Sequence, residues 1–295
     1  MAVISKGTNF PVQLERELFS LVKGHSSLAK LSRSEALPFV GKDIFTFNFS
    51  NDISIVGENN AKPVGDGVVE PVRMAPVKVV YQMRVSDEFM YASEEYQMNI
   101  LGQFADGFAK KLGSGLDKMA MHGIDPKSGQ ASSIIGNNCF DKKVTSNVVT
   151  YNTTTPDENI DDAVALVEAG EYTANGIALA PAMRGALAKE KDANGARMYP
   201  EFAFGATPDT LGSMTLDTNA TVDVADDKAI VGDFENAFRW GIAKELPIET
   251  IEFGDPDGQG DLKRNNQIVL RSEAFIGWAI MDANAFAIVN GDGID

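Results

Sequence analysis

The stretch Val85 to Gly123, VSDEFMYASEEYQMNILGQFADGFAKKLGSGLDKMAMHG, decides how the rest of the chain is read. Apolar side chains recur at Phe89, Ala92, Tyr96, Ile100, Phe104, Phe108, Leu112, Leu116 and Met119. Steps of three and four residues keep them on one side of an α-helix. Ser86 is placed to cap it, and Asp87 and Glu88 in the first turn suit the positive end of the helix dipole. The pattern predicts a helix over 86–121. At about 1.5 Å per residue such a rod is on the order of 50 Å long, more than a compact domain of this size needs.

Upstream of the rod the period changes to two. Ile44, Phe45, Phe47 and Phe49 form one alternating run, and Val77, Val79, Tyr81, Met83 and Val85 form another. Between them, SNDISIVGENNAKPVGDGVVEPVRMAP is polar and broken by Gly57, Pro63, Gly65, Gly67, Pro71 and Pro76. It holds too few large apolar residues to fold back into a core, so the two runs predict a projecting hairpin arm. Residues 1–35 carry one short amphipathic piece, Val12 to Val22, opened by Pro11 and ended near Gly24, and read as an arm lying on other parts of an assembly. Downstream, residues 123–160 are rich in Gly, Asn, Ser and Thr, with a β-prone piece at Lys143 to Tyr151. An amphipathic helix at Asn159 to Gly170 and an apolar strand at Gly176 to Ala180 follow. Pro181 then opens a further helix that stops at the turn around Asn194 and Gly195.

Composition narrows the function. The chain has 295 residues, 44% of them apolar, enough for a large core and for one or two domains. No apolar run reaches membrane-spanning length, and the first residues lack the apolar centre and cleavage site of a secretion signal. The single cysteine, Cys139, allows no internal disulfide and fits a reducing cytoplasm. Basic and acidic side chains balance over residues 1–150, so the whole net charge of -16 lies in residues 151–295. Such a surface repels nucleic acid and argues against sequence-specific DNA binding.

The order of a strand, a hairpin containing IVGENNAKPVGDGVVEPVRMAPVKV, the junction MRVSDEF and then a long helix resembles the major capsid proteins of tailed double-stranded-DNA bacteriophages. Later segments extend the resemblance. They are the strand and Pro-led helix with its Lys191 to Gly195 turn, Leu211 with Gly212, Gly232 to Phe234, Val269 to Arg271, and Ala285 with Phe286. It covers roughly residues 36–290 and implies an α+β, HK97-like fold. Its implied parts are an N-terminal arm (1–38), an extended hairpin loop with its flanking strands (39–85), and a peripheral domain built on the spine helix (86–130). An axial domain (131–243), peripheral return strands with a distal loop (244–275) and a closing axial strand (276–295) complete it. The function implied is that of a subunit self-assembling as hexamers and pentamers into an icosahedral head around packaged double-stranded DNA. It would be made and assembled in the host cytoplasm and end in the virion. Some family members begin with a long charged scaffold segment that is later cleaved. Here the arm starts at Met1, which implies a separate scaffolding protein or a processed chain renumbered from one; the initiating Met favours the former, and a portal and a maturation protease are expected with it.

Two other readings stand beside this one. An encapsulin-type nanocompartment shell shares the fold and encloses cargo enzymes. A small-molecule enzyme with an α/β domain at residues 160–290 is the other, but no catalytic set or cofactor loop supports it. Only His25 and His122 offer imidazole, which leaves a Ser-His-Asp triad or an imidazole metal site little support. Gly113 and Gly115 around Ser114 make no phosphate loop, because no strand precedes them and no GxxxxGK[ST] follows. GDPDGQGD places Asp255, Asp257 and Asp261 on one Gly-rich turn, a candidate for a hard cation such as Ca²⁺, though it lacks the distal Glu of an EF-hand. The resemblance adds a candidate inter-subunit isopeptide crosslink between Lys62 in the extended loop and Asn265 or Asn266 of a neighbour. No catalytic residue and no cofactor is expected.

Overall fold

The computed structural model describes residues 22, 24–49, 53–58, 60–64 and 67–291. Apart from Val22, the amphipathic piece expected at Val12 to Val22 lies outside the described residues. The first half of the chain runs α1 (Ser27–Leu31), β1 (Arg33–Ser34), β2 (Lys42–Phe49), β3 (Gly67–Met74), β4 (Val77–Ser86), α2 (Glu94–His122), α3 (Phe140–Lys143) and β5 (Val148–Thr150). The second half runs α4 (Pro156–Ala169), β6 (Gly176–Leu179), α5 (Pro181–Leu187), β7 (Thr210–Leu211), β8 (Met214–Thr218), β9 (Asp227–Gly232), α6 (Phe234–Ala237), β10 (Phe238–Ile251), β11 (Gln267–Ile280) and β12 (Phe286–Asn290).

The long helix starts in two steps. Ser86 does cap, but what it caps is a 3-10 turn, Asp87–Tyr91. Ala92 and Ser93 are then extended, and α2 begins after Ser93, whose hydroxyl accepts from the Tyr96 N–H. Gln97 bridges the break, its amide nitrogen donating to the carbonyls of Phe89, Met90 and Ala92 at 3.1–3.2 Å. Carbonyls at such a break lack the donors that a continuing helix would provide, and here a side chain supplies one. The helix has 29 residues, about 43 Å at 1.5 Å each, and left-handed Gly123 ends it. Phe104, Phe108, Leu112, Leu116 and Met119 are buried as the pattern predicts. Tyr96, on the same stripe, is 57% exposed, because the apolar floor under α2 thins to a small cluster of Phe89, Phe104, Ile268 and Leu270.

The hairpin differs from expectation in its pairing. β2 pairs antiparallel with β3, from Lys42↔Met74 to Phe49↔Gly67. The second alternating run, β4, instead pairs with β11, from Ser86↔Gln267 to Val77↔Ile276. The segment read as a polar excursion therefore holds the return strand itself. Pro71 obscures it, but a two-stranded ribbon has free edges, where a residue without an N–H is tolerated.

Two sheets form the body. A four-stranded sheet, β1-β10-β11-β4, runs on the 14-residue β10 and β11, with register shifts between Ile242 and Lys244 and between Leu246 and Glu249. In a six-stranded sheet, β5-β12-β9-β6-β8-β7, the central strands β12, β9 and β6 are buried on both faces. Successive side chains point to opposite faces of a strand. Ala178, Ile230 and Ile288 accordingly enter a core with Phe108, Leu112 and Leu116 of α2 and with Trp240 and Trp278. Ile177, Leu179, Ala229, Val231, Ala287 and Val289 enter a second core with Ile160 and Val167 of α4 and Met183 and Leu187 of α5. Double burial explains why these strands read as unbroken apolar runs. α5 is shorter than expected, ending at Leu187. The chain then turns back, with Lys191 bridging Arg197 and the Asp192 carboxylate accepting from the N–H groups of Asn194 (2.9 Å) and Ala196 (2.8 Å). A short Asp that binds its own following backbone competes with helix, which is why the helical run stops early.

Candidate functional site

Beyond its root, the ribbon β2–β3 and the described residues that follow β2 carry large apolar side chains outside the cores. Ile53 and Ile55 are fully exposed, and Val64 and Phe45 are largely so. Exposed apolar side chains on a ribbon with open edges mark a surface that another chain covers. The ribbon's root is held firmly. Leu37 and Met74 pack with Ala279 of β11, Arg73 donates to the Val40 carbonyl (3.1 Å), and Lys42 pairs with Glu35. Beneath it, a Cβ on Gly241 would lie 2.1 Å from the Glu35 carbonyl oxygen. Only glycine in β10 lets the root cross that closely.

The turn with Asp255, Asp257 and Asp261 is organised by a residue the sequence did not single out. Arg84, from β4, places its guanidinium in the turn. Nε donates to both oxygens of Asp257 (3.1 and 2.8 Å), and the other nitrogens reach Asp255 (3.3 Å), the Gly260 carbonyl (2.8 Å) and Gln267 (3.0 Å). The hydrogen bonds from Arg84 hold the Asp257 carboxyl down at about 2. Asp261 turns away and accepts from the Arg264 N–H (2.9 Å). Asn265 and Asn266, just beyond, are exposed, with Asn266 in the left-handed region at φ 52°. Its carbonyl accepts from the Asp87 N–H (3.0 Å), tying the loop to the start of the long helix. Lys62 is exposed in the hairpin.

Where the N-terminal region enters the body, the fully buried Asp117 of α2 gathers donors from two other segments. Ser26 Oγ (2.6 Å), the N–H groups of Ser27 (2.9 Å) and Leu28 (3.2 Å), Asn219 Nδ2 (3.3 Å) and Thr221 Oγ1 (3.0 Å) all reach it. Ser26 is the N-cap of α1, so the carboxylate sits at that helix's amino end. Burial nevertheless pushes the carboxyl up to about 6. Lys30 and Ser27 Oγ both bind Asp217 at the end of β8, fixing α1 from its other side.

Thr221 also links this cluster to a second one. Its carbonyl lies 2.9 Å from His122 Nε2, while His122 Nδ1 lies 2.9 Å from Asp141 and 3.7 Å from Asp227. Burial pulls the imidazole pKa down, but the hydrogen bond and charge of Asp141 outweigh it and leave it raised. Burial, with the Asp141 charge beside it, pushes the Asp227 carboxyl up. With only two histidines the sequence gives an imidazole site little support, and the partners of His122 lie on α3 and β9, where no local spacing announces them. His25 is half-buried beside Gly113, and Cys139 is buried under Gly123, its thiol pushed up by burial.

A long helix on one sheet, a second sheet buried between two cores and a projecting apolar ribbon together define a structural subunit built to assemble with copies of itself. A family model described as the phage capsid family matches residues 7–291. A solved structure from Mycobacterium phage Ogopogo is 33% identical at a TM-score of 0.78, with 90% of this chain and 92% of that one covered. One from Gordonia phage Cozz is 23% identical at a TM-score of 0.72, covering 92% and 86%. The capsid of an empty GTA particle has the same fold at 15% identity and a TM-score of 0.65, covering 99% and 94%. No curated protein matches the chain. The chain belongs to the phage capsid family. It is a major capsid protein with an HK97-like fold, a structural shell component of the virion and not an enzyme. These similarities give no support to the encapsulin or small-molecule-enzyme readings.

Proposed function

We propose that the subunit assembles as hexamers and pentamers into an icosahedral head that encloses packaged double-stranded DNA. The exposure of Ile53, Ile55 and Val64 on a firmly rooted ribbon is the observation that carries this reading, since the ribbon needs a neighbour to cover it. The arm is assigned to residues 1–38, the extended loop and its flanking strands to 39–85, the peripheral domain to 86–130 and 244–275, and the axial domain to 131–243 and 276–295. In support, all six strands of the larger sheet fall in the axial ranges, while β10 and β11 cross both boundaries and join the two domains. The acidic excess of residues 151–295 suits a container that holds DNA without reading it. Among the described residues no helix is long and apolar enough to cross a membrane. Synthesis and assembly in the host cytoplasm, with a separate scaffolding protein, a portal and a maturation protease, complete the proposal.

Negative-stain images of the purified protein are expected to show closed shells of uniform diameter, and shells taken from virions to protect long double-stranded DNA from nuclease. A stable monomer in size exclusion, or shells filled with protein cargo, would overturn the reading. Two smaller proposals belong to the same shells. A bond from Lys62 to Asn265 or Asn266 of a neighbour would leave ladders after boiling in SDS, and a single monomer band disposes of it. Binding of Ca²⁺ at Asp255, Asp257 and Asp261 must compete with Arg84, and calorimetric titration without heat removes it.

A further inference from the structure

Three side chains with lone pairs converge between the end of α2 and the six-stranded sheet, each from a different element. His122 closes α2, Asp141 lies on α3 and Asp227 opens β9. One ligating atom from each lies within 4.8 Å of the others, the only such group of three among the described residues. The His122 and Asp227 side chains are each 1% exposed. A carbonyl can only accept, so the 2.9 Å contact to Thr221 means that Nε2 carries a proton and donates it. Nδ1 then presents a lone pair towards Asp141 and Asp227 once a cation displaces the proton that otherwise bridges it to Asp141. Asn290 Nδ2 donates to Asp227 Oδ1 at 2.8 Å and so aims Oδ2 inward. Asp227 Oδ2 and Asp141 Oδ1 are buried, and neither has a hydrogen-bond partner. Two carboxylates and an imidazole nitrogen facing one another in the interior demand positive charge.

We propose that His122, Asp141 and Asp227 form a buried site for one divalent transition-metal cation of the zinc class. One such ion balances two carboxylates. Calcium and magnesium prefer all-oxygen sets, whereas an imidazole with carboxylates suits zinc and its neighbours. On a sphere of about 2.1 Å, the usual zinc-to-ligand distance, the separations of 2.9 and 3.7 Å correspond to angles of roughly 90° and 120° at the ion. The surroundings match as well. Liganding histidines commonly donate their other N–H to a backbone carbonyl and liganding carboxylates are themselves hydrogen-bonded, the parts played here by Thr221 and Asn290. The ion ties the end of the long helix, α3 and the first residue of β9 to a single point. The competing occupants of the same space are protons, held as an imidazolium against Asp141 and a carboxylic acid at Asp227.

Mass-spectrometric metal analysis of the assembled protein, purified without chelator and dialysed after exposure to Zn²⁺, separates the two. The expected result is about one zinc per subunit, with Co²⁺ loading of the same protein giving visible d–d bands. Asn290→Ala removes the support for Asp227, along with a longer hydrogen bond to the Ala225 carbonyl, and is expected to weaken zinc binding about tenfold or more, and Asp227→Asn to abolish it. Wild-type protein that retains no zinc above background, shows no cobalt bands and melts at the same temperature with and without Zn²⁺ would overturn the proposal and assign the space to protons. These wild-type measurements decide the matter even if Asp227→Asn fails to fold.

Discussion

Asp117 shows how one side chain answers to opposing demands. Its donors favour the carboxylate, yet complete burial outweighs them and the carboxyl titrates at about 6 in the fold against 3.8 ordinarily. A group raised in this way contributes stability in full below its unfolded value and loses that contribution as pH rises through the folded one. Urea unfolding of the wild type and of Asp117→Asn at pH 4 and pH 7 is therefore expected to diverge, the wild type losing about 2 kcal/mol relative to the non-titrating variant. Arg84 works in the reverse sense. Because it depresses Asp257, the stabilisation is present above the ordinary carboxylate range and is lost only as pH falls through about 2. Arg84→Ala should raise the Asp257 pKa towards the ordinary range in an NMR titration and open the 254–261 loop to proteolysis at neutral pH, leaving the rest of the chain protected. The three aspartates of that loop were legible as a cluster in the sequence. The cation they meet was not, since Arg84 is 173 positions from Asp257 and alternates along a strand like any other polar residue.

At the scale of elements, the sequence was readable where one face is buried and misleading where local chemistry intervenes. The stripe from Phe108 to Met119 is plain because a continuous core lies under it. The α-helix starts about two turns later than a cap at Ser86 predicts, because Ser86 and Ser93 are both competent caps, and only the backbone between them shows which begins the α-helix. The return strand of the hairpin was hidden by Pro71, and the end of α5 by the turn that Asp192 makes. The glycines of α2 can now be separated. A Cβ on Gly113 would lie 3.0 Å from the Val22 carbonyl oxygen, whereas one on Gly107 would meet open space. Gly107→Ala is thus expected to stabilise the subunit by about 1 kcal/mol through helix propensity alone. Gly113→Ala should forfeit that gain by displacing the segment Val22 to His25, which thermal unfolding of the two variants side by side will register.

For the whole molecule, the ribbon beyond its root is the part whose large apolar side chains no core of the subunit covers. Replacing Ile53 and Ile55 with aspartate removes no contact to the cores, so circular dichroism and subunit solubility are expected to be unchanged while closed shells fail to form in negative stain. Shells formed at wild-type yield would count against the ribbon as an interface. Inside the subunit, Thr221 gives its hydroxyl to Asp117 and its carbonyl to His122. A single residue therefore stands in both circuits, the one holding α1 and the one joining α2 to β9. Parts so joined behave as one cooperative unit of local unfolding. Amide hydrogen exchange is expected to show Leu28 and Ile230 opening with a common free energy, so that the root of the amino-terminal arm cannot loosen without the sheet registering it.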